Sequence, residues 1–157
     1  MQPRIDPAIA MPEVMQAMGG VEAYIRRCGL EPSLIRLVMM RASQINGCAF
    51  CIDMHTHDAR AHGETEERLY LLNAWQEAPL YSDRERAALA WAEAVTLVAQ
   101  THVPDSVYEE ARRHFDEAEL VRLMVLVGAI NAWNRLSISF RTVPAGTQNV
   151  HETMSAH

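Results

Sequence analysis

The chain has 157 residues, of which 49% are hydrophobic and 22% charged, a composition typical of one globular domain. Its formal net charge of −6 argues against an extended nucleic-acid-binding surface, which must present Lys and Arg to phosphates. The first ten residues lack the apolar stretch of a secretory signal. The longest apolar run, residues 123–132, is shorter than a membrane span. Together these features predict a soluble, cytoplasmic protein.

Helical periodicity dominates the chain, and alternating strand patterns are scarce. The predicted helices, in order, cover residues 12–28 with a break at Gly19-Gly20, then 32–45, 48–61, 66–76, a helix that begins after Ser82, 104–115 and 120–137. Two of them begin at a capping box, Ser82 with Glu85 and Asp116 with Glu119. The sequence therefore predicts an all-α bundle of six to seven helices. Residues 1–144 form one domain in this prediction, and residues 145–157 form a loose polar tail.

Two of the three cysteines, Cys48 and Cys51, share a helix with His55. At about 100° per residue, positions three and seven after Cys48 point in nearly the same direction, so the three side chains form one stripe. Asn46-Gly47 ends the preceding helix, which places both thiols in a first helical turn. Unpaired N–H groups and the positive end of the helix dipole lower the pKa of a thiol there.

This arrangement predicts a thiol redox cycle. Cys51, with a histidine four residues later, is the expected attacking thiol, and His55 takes its proton or stabilises the thiolate. Attack on a peroxide would give a sulfenic acid at Cys51, which Cys48 would convert to a disulfide. Cys48 is expected to be the more exposed thiol and the contact point for an external dithiol reductant.

The same residues leave other interpretations open. Cys48, Cys51 and His55 could be three ligands of a structural zinc ion, with His57 or His62 as the fourth. The two cysteines could also be buried and inert, or they could serve a non-catalytic oxidant sensor. Cys28 is expected to be a small buried hydrophobe. Three nearby polar residues are expected to face solvent on other sides of the helix: Asp53, His57 and Asp58.

Residues 37–55, LVMMRASQINGCAFCIDMH, resemble the core signature of the alkylhydroperoxidase D-like (AhpD-like) family of the carboxymuconolactone decarboxylase superfamily. Residues 59–64, 85–93 and 131–135 are also similar to segments of short, single-domain members, so that the resemblance covers about residues 31–144. It implies an all-α fold and peroxidase activity through Cys48, Cys51 and His55. It also implies no bound cofactor, and a dithiol reductant that is a lipoyl-bearing protein in the founding enzymes.

The resemblance implies assembly into dimers, trimers or trimer-of-dimer hexamers. A property of the sequence supports such a homo-oligomer, because the helix over residues 120–137 is apolar on more than one side. A lactone decarboxylase is the rival enzyme within the superfamily, but its chemistry needs proton transfer rather than thiols.

The sequence departs from the family pattern at two positions. The family's relay glutamate would fall at Arg36, and a histidine sometimes found between the cysteines is Phe50. Another carboxylate is therefore expected to replace the glutamate, with Glu93 as the first candidate and Glu85 as the second. Alternatively, Arg36 could lower the pKa of the thiol directly if its guanidinium points inward.

Overall fold

The computed structural model describes residues 2–144, and within that range it contains nine α-helices, one short 3-10 helix and no strand. The helices are α1 (Pro7–Ala10), α2 (Pro12–Ile25), α3 (Pro32–Asn46), α4 (Ala49–Ala61), α5 (Glu66–Leu71), α6 (Asp83–Thr96), α7 (Val98–Thr101), α8 (Asp105–His114) and α9 (Glu117–Phe140). The 3-10 helix, Leu72–Ala74, continues α5. The predicted tail over residues 145–157 lies outside the described residues.

The all-α prediction is confirmed, and each of the seven predicted segments contains a helix. The count of six to seven was too low, because the single-turn helices α1 and α7 have no periodic pattern long enough to reveal them. The expected break at Gly19-Gly20 is wrong, since α2 runs through both glycines. A glycine inside a helix costs only about 1 kcal/mol, which the surrounding turns can offset.

Both predicted capping boxes are present. The Ser82 hydroxyl accepts a hydrogen bond from the backbone N–H of Glu85 at the start of α6, and Glu85 returns a carboxylate to the Ser82 N–H. Asp116 and Glu119 make the same reciprocal pair at the start of α9. Each box satisfies backbone donors that a helix start leaves unpaired.

Helix α3 lies at the centre of the bundle and packs against α4, α6 and α9. Its apolar side and that of α9 supply much of the main core, which includes Leu34, Val38, Ala42, Leu123, Leu126, Val127 and Ile130. A second, smaller core on the other side of α3 joins the α5 region to α6, and it includes Leu37, Met40, Leu72, Trp75 and Leu89. The helix at which the cysteine pair lies, α4, is therefore held against the central helix of the bundle.

Helix α9 is long and apolar enough, by length and composition, to cross a membrane, although its longest uninterrupted apolar run is short. In this fold it packs on α2, α3, α6 and α8 instead. Its buried face includes Asn131 and Asn134, which hydrogen-bond to residues of other helices. The core therefore explains the apolar residues on the buried face of α9, which include Leu123, Leu126, Val127 and Ile130.

One face of α9 carries apolar side chains that are exposed in the single chain: Val121, Met124, Val125 and Ile138. An exposed apolar face of this kind is a common feature of subunit interfaces. The homo-oligomer predicted from the sequence stays a prediction.

Candidate active site

The candidate active site is built at the junction between α3 and α4. Gly47 has φ 68°, the left-handed conformation that a helix C-terminus favours for glycine. Its N–H donates to the carbonyls that end α3, while the Cys48 N–H donates to the Ser43 carbonyl at 3.0 Å. The chain therefore leaves α3 and begins α4 within two residues, and Cys48 lies at the turn.

Cys48 is the N-cap residue of α4, and Cys51 lies in the first turn, as the sequence predicts. The Cys48 sulfur accepts a hydrogen bond from the backbone N–H of Cys51 at 3.3 Å. The two cysteines form a disulfide, with their Cα atoms 5.3 Å apart. A reversible dithiol–disulfide pair is thus compatible with the backbone of a single helical turn.

The disulfide is buried within the chain. Cys48 is 1% exposed and Cys51 is 2% exposed. The expectation that Cys48 would be the more exposed thiol is therefore wrong, because α9 packs over the α3–α4 junction as well as against α4 itself. Local periodicity could place both sulfurs on one stripe of α4, but it could not show which helix covers that stripe.

His55 lies one turn beyond Cys51 on α4 and is only 8% exposed. Its Nε2 atom is buried and has no hydrogen-bond partner among the described residues. Burial lowers the pKa of His55 to about 4, and the nearby Asp58 carboxylate opposes this shift. The imidazole is therefore neutral near pH 7 and can accept a proton.

A cleft of about 440 Å³ opens beside His55. Its apolar walls include Ile35, Met39 and Met54, and its polar walls include Arg36, Asp58 and His62. Neither cysteine lines this cleft, so His55 is the member of the predicted trio that connects to it.

Arg36 and Asp58 pair across this cleft, from α3 and α4. The Arg36 Nε donates to Asp58 Oδ2 at 2.9 Å. Asp58 was expected only to face solvent. Its side chain is indeed 48% exposed, but it also lines the same cleft as His55. The three-residue spacing from His55 was the available signal, because such residues share a helix face. His57, 73% exposed, does face solvent as expected.

A buried amide network that sequence reasoning missed holds the α3–α4 junction against α9. Asn46 donates to the side-chain oxygens of Asn131 and Asn134, at 3.0 and 2.8 Å. Asn134, which is fully buried, donates in turn to the Ser43 hydroxyl at 3.0 Å. Because Ser43 also accepts the Cys48 N–H through its carbonyl, the network fixes the turn that carries the disulfide.

The carboxylates expected to replace the family's relay glutamate lie in other surroundings. Glu93 accepts from Arg41 Nε at 2.8 Å, from Trp75 Nε1 at 2.7 Å and from Gln76 at 3.2 Å. Glu85 caps α6 and pairs with Arg68 at 2.6 Å. Neither lines the cleft, and in residues 2–144 neither hydrogen-bonds to His55 or to a cysteine. Their relay role stays a prediction that these contacts do not support.

The remaining sequence alternatives concern metal binding and the third cysteine. In the part of the chain that the structure describes, no group of three His, Cys, Asp or Glu side chains is arranged to hold a metal ion. Cys28 is a free thiol, buried in the main core. Of the three cysteines, two therefore form the redox-competent pair.

The fold and this site define an all-helical protein with a buried Cys-x-x-Cys disulfide and a neutral histidine one turn away. The sequence model of the carboxymuconolactone decarboxylase family matches residues 12–94. The chain belongs to this family and is an AhpD-like member of it.

Two relatives are similar to this chain over most of its length. "Uncharacterized protein YdfG" of Bacillus subtilis is 47% identical over 128 residues, which are 82% of this chain and 87% of YdfG. The crystal structure of ATU0492 from Agrobacterium tumefaciens, a protein of unknown function suggested to be the antioxidant defence protein AhpD, is 44% identical with a TM-score of 0.89. That match covers 91% of this chain and 98% of ATU0492.

A more distant structure shares the fold alone. It is an alkylhydroperoxidase AhpD core, an uncharacterized peroxidase-related protein from Ralstonia eutropha JMP134. The identity is 18% and the TM-score 0.77, over 87% of this chain and 73% of that protein.

Proposed function

We propose that this protein is a thiol-dependent peroxidase that reduces alkyl hydroperoxides through Cys48, Cys51 and His55. The observation that carries the proposal is the Cys48–Cys51 disulfide in the first turn of α4, one turn before a neutral, buried histidine. Membership in the carboxymuconolactone decarboxylase family is compatible with a decarboxylase as well. The cysteine pair favours redox chemistry, because proton transfer alone needs no disulfide.

In the first step, His55 takes the proton of the Cys51 thiol, and the thiolate attacks the outer oxygen of the hydroperoxide. A sulfur–oxygen bond forms and the oxygen–oxygen bond breaks, so that Cys51 becomes a sulfenic acid and the substrate leaves as an alkoxide. The His55 imidazolium returns its proton to the alkoxide and yields the alcohol.

In the second step, Cys48 attacks the Cys51 sulfur. The disulfide forms, and the sulfenic hydroxyl leaves as water with the proton of Cys48. The N–H of Cys51, which donates to the Cys48 sulfur, stabilises negative charge there and so favours Cys48 as a thiolate. An external dithiol, such as a lipoyl group on a partner protein, then reduces the disulfide and is itself oxidised to a disulfide.

The hydroperoxide enters through the cleft beside His55 in this proposal. Ile35, Met39 and Met54 provide apolar surface for the alkyl group, and His55 lies where the peroxide oxygens need a proton partner. Because both sulfurs are buried and neither cysteine lines the cleft, side chains between the cleft and Cys51 have to move for the substrate to reach it. Small conformational openings of this kind are common at enzyme sites.

The proposed context is a cytoplasmic homo-oligomer that binds no resident cofactor. The exposed apolar face of α9 (Val121, Met124, Val125 and Ile138) supports self-association. Light scattering with a single monomeric species across a concentration series would contradict this part of the proposal and leave the redox chemistry unaffected.

The direct test mixes the reduced protein with cumene hydroperoxide in a stopped-flow instrument and compares three variants. Cys51→Ser should consume no peroxide. Cys48→Ser should consume one equivalent and keep a sulfenic acid that dimedone traps. Cys28→Ala is the matched control, because it removes the remaining thiol, and it should react as fast as the wild type.

Each other outcome has a definite meaning. Peroxide consumption by Cys51→Ser at the wild-type rate would overturn the assignment of the attacking thiol and the peroxidase function with it. Oxidation of the wild type by one equivalent, with no turnover when dihydrolipoamide is added and with altered sedimentation, would replace the peroxidase by an oxidant sensor.

A further inference from the structure

The cleft beside His55 contains a pair of opposite charges that the proposed catalytic steps do not use. Arg36 extends from α3 and Asp58 from α4, and their side chains meet with 2.9 Å between Nε and Oδ2. Asp58 comes three residues after His55, on the same side of α4. An ion pair between exposed side chains contributes little to stability, so its position beside a buried, reactive imidazole calls for a different physical role.

The surroundings of His55 show what such a role requires. Its Nε2 has no hydrogen-bond partner among the described residues, so no local acceptor stabilises the imidazolium that forms when Cys51 gives up its proton. Charge is the remaining means of stabilisation. Five charged or titratable residues line the cleft around His55. They are Glu22 of α2, Arg26 just after α2, Arg36 of α3, Asp58 of α4 and His62 just after α4.

Most of these groups offset one another. Glu22 of α2 pairs with Arg26, just after α2, with 3.5 Å between Arg26 Nε and Glu22 Oε1. The His62 Nδ1 lies 2.8 Å from the backbone carbonyl of Asp58 and 3.4 Å from its Oδ1. The Asp58 carboxylate is the charge that favours the protonated form of His55, against the effect of burial. Arg36, bound to that carboxylate, reduces the negative field that reaches the imidazole.

We propose that Asp58 is the positioning residue that stabilises the His55 imidazolium during catalysis, and that Arg36 sets the strength of this effect by pairing with Asp58 across the cleft. Both residues act through His55 and do not touch the reacting sulfur. The catalytic part of this inference rests on the proposed peroxidase function. The electrostatic part concerns only the protonation of His55 and does not depend on that function. The two parts can therefore be tested separately.

The first experiment follows the His55 ring by NMR against pH in the disulfide form, where peroxide chemistry does not occur. Asp58→Asn removes the carboxylate and should move the His55 titration midpoint down by about half a pH unit. Arg36→Gln removes the guanidinium that pairs with Asp58 and should move the midpoint up by a similar amount. The two substitutions break the same ion pair, so loss of structural support alone would shift both midpoints in the same direction.

The matched control is Arg60→Gln, which breaks the ion pair between Arg60 of α4 and Glu66, away from the cleft, and should leave the His55 midpoint unchanged. Midpoints that move in the same direction in both cleft variants, or stay within about 0.2 pH units of wild type, would overturn the proposal.

The second experiment measures the rate of Cys51 oxidation by cumene hydroperoxide as a function of pH in the reduced variants. The acid limb of the profile should shift in the same direction as the NMR midpoint, because a protonated His55 cannot accept the thiol proton. If the His55 midpoint shifts in the variants but the wild-type protein does not react with peroxide, the proposed function is refuted and the electrostatic effect of Asp58 and Arg36 on His55 stands. Active protein with unshifted midpoints would refute the pairing alone.

Discussion

Two regions of the molecule contain polar side chains that are partly or fully buried, and the two regions differ in whether these side chains have hydrogen-bond partners. At the α5–α6 face, Glu85 and Glu93 each meet an arginine and at least one further donor. At the α3–α4 junction, the Nε2 of His55 is buried and has no partner within residues 2–144, one turn after a disulfide in a first helical turn. Buried polar atoms are usually hydrogen-bonded. Among the described residues, His55 Nε2 and Trp91 Nε1 are buried without a partner. The indole N–H can only donate, so the imidazole, which can accept a proton, indicates where chemistry is expected.

The comparison also explains why two carboxylates that looked like candidates have structural contacts instead. Burial raises the pKa of Glu85, but hydrogen bonds from Arg68 and Ser82 outweigh it and hold that pKa below its ordinary value. A carboxylate held as an anion in this way stabilises the fold and is poorly suited to carry a proton. His55 has the reverse character, because burial keeps the imidazole neutral and its Nε2 meets no hydrogen-bond partner in the described part of the chain.

The largest expected effect is on rate, at the α3–α4 junction. His55→Gln should slow the oxidation of reduced Cys51 by cumene hydroperoxide about 100-fold, because the thiol loses its proton acceptor. Stopped-flow measurement at pH 7 checks this, with His57→Gln as the control on the exposed side of α4. If the oxidation rate of His55→Gln stays within a few-fold of wild type, His55 is not the proton acceptor, and the functional difference between the two regions is refuted.

The next effect is on stability, through the amide network that holds the junction. Asn134→Ala leaves Asn46 and Ser43 without their buried partner and should lower the free energy of unfolding by about 3 kcal/mol. Ser139→Ala, on an exposed position of the same helix, should change it by less than about 0.5 kcal/mol. Urea unfolding of the disulfide form provides both values, and equal effects would show that the network does not hold the junction.

A pH effect of intermediate size follows from the depressed pKa of His55. The unfolded chain binds a proton near pH 6.5 that the folded protein accepts only near pH 4. The free energy of unfolding should therefore be largest above pH 6.5 and fall as the pH is lowered, by about 2 kcal/mol between pH 6.5 and 5.

Urea unfolding at several pH values measures this slope, and His55→Phe should abolish it. The three glutamates with lowered pKa values (Glu31, Glu85 and Glu119) lose their stabilising charge only as the pH falls below their ordinary value of 4.5. Their contribution to the free energy of unfolding is therefore lost at a lower pH than that of His55. A slope that persists in His55→Phe would assign the effect to another group.

The smallest effect is expected at the α5–α6 face. Glu93→Gln keeps an acceptor for Trp75 but loses the charge that pairs with Arg41, and should cost about 1 kcal/mol of stability with no change in the rate of peroxide oxidation. Thermal unfolding and stopped-flow measurements check the two halves. A rate lowered tenfold or more would restore Glu93 as a relay carboxylate.

Much of the fold could be predicted from the sequence because its signals are local. The period of apolar residues located seven helical segments, and the capping box at Ser82 predicted the start of α6. Helix α9 begins at Glu117, directly after the Asp116 cap and before the predicted start at residue 120. At the site, the spacing of Cys48, Cys51 and His55 predicted one stripe in and after a first turn, as observed. Single-turn helices such as α7 escaped prediction because four residues are too few to show a period.

By itself, the sequence determined that a turn at Gly47 would present two cysteines at a helix start, since glycine and helical pitch act over only a few residues. The tertiary structure alone decided that those sulfurs would be buried where α9 packs on the α3–α4 junction. It also decided that Glu93 would face Arg41 and that Arg36 would reach Asp58. Those outcomes depend on which helices become neighbours. That choice is made by the packing of whole apolar faces, and no local pattern specifies it.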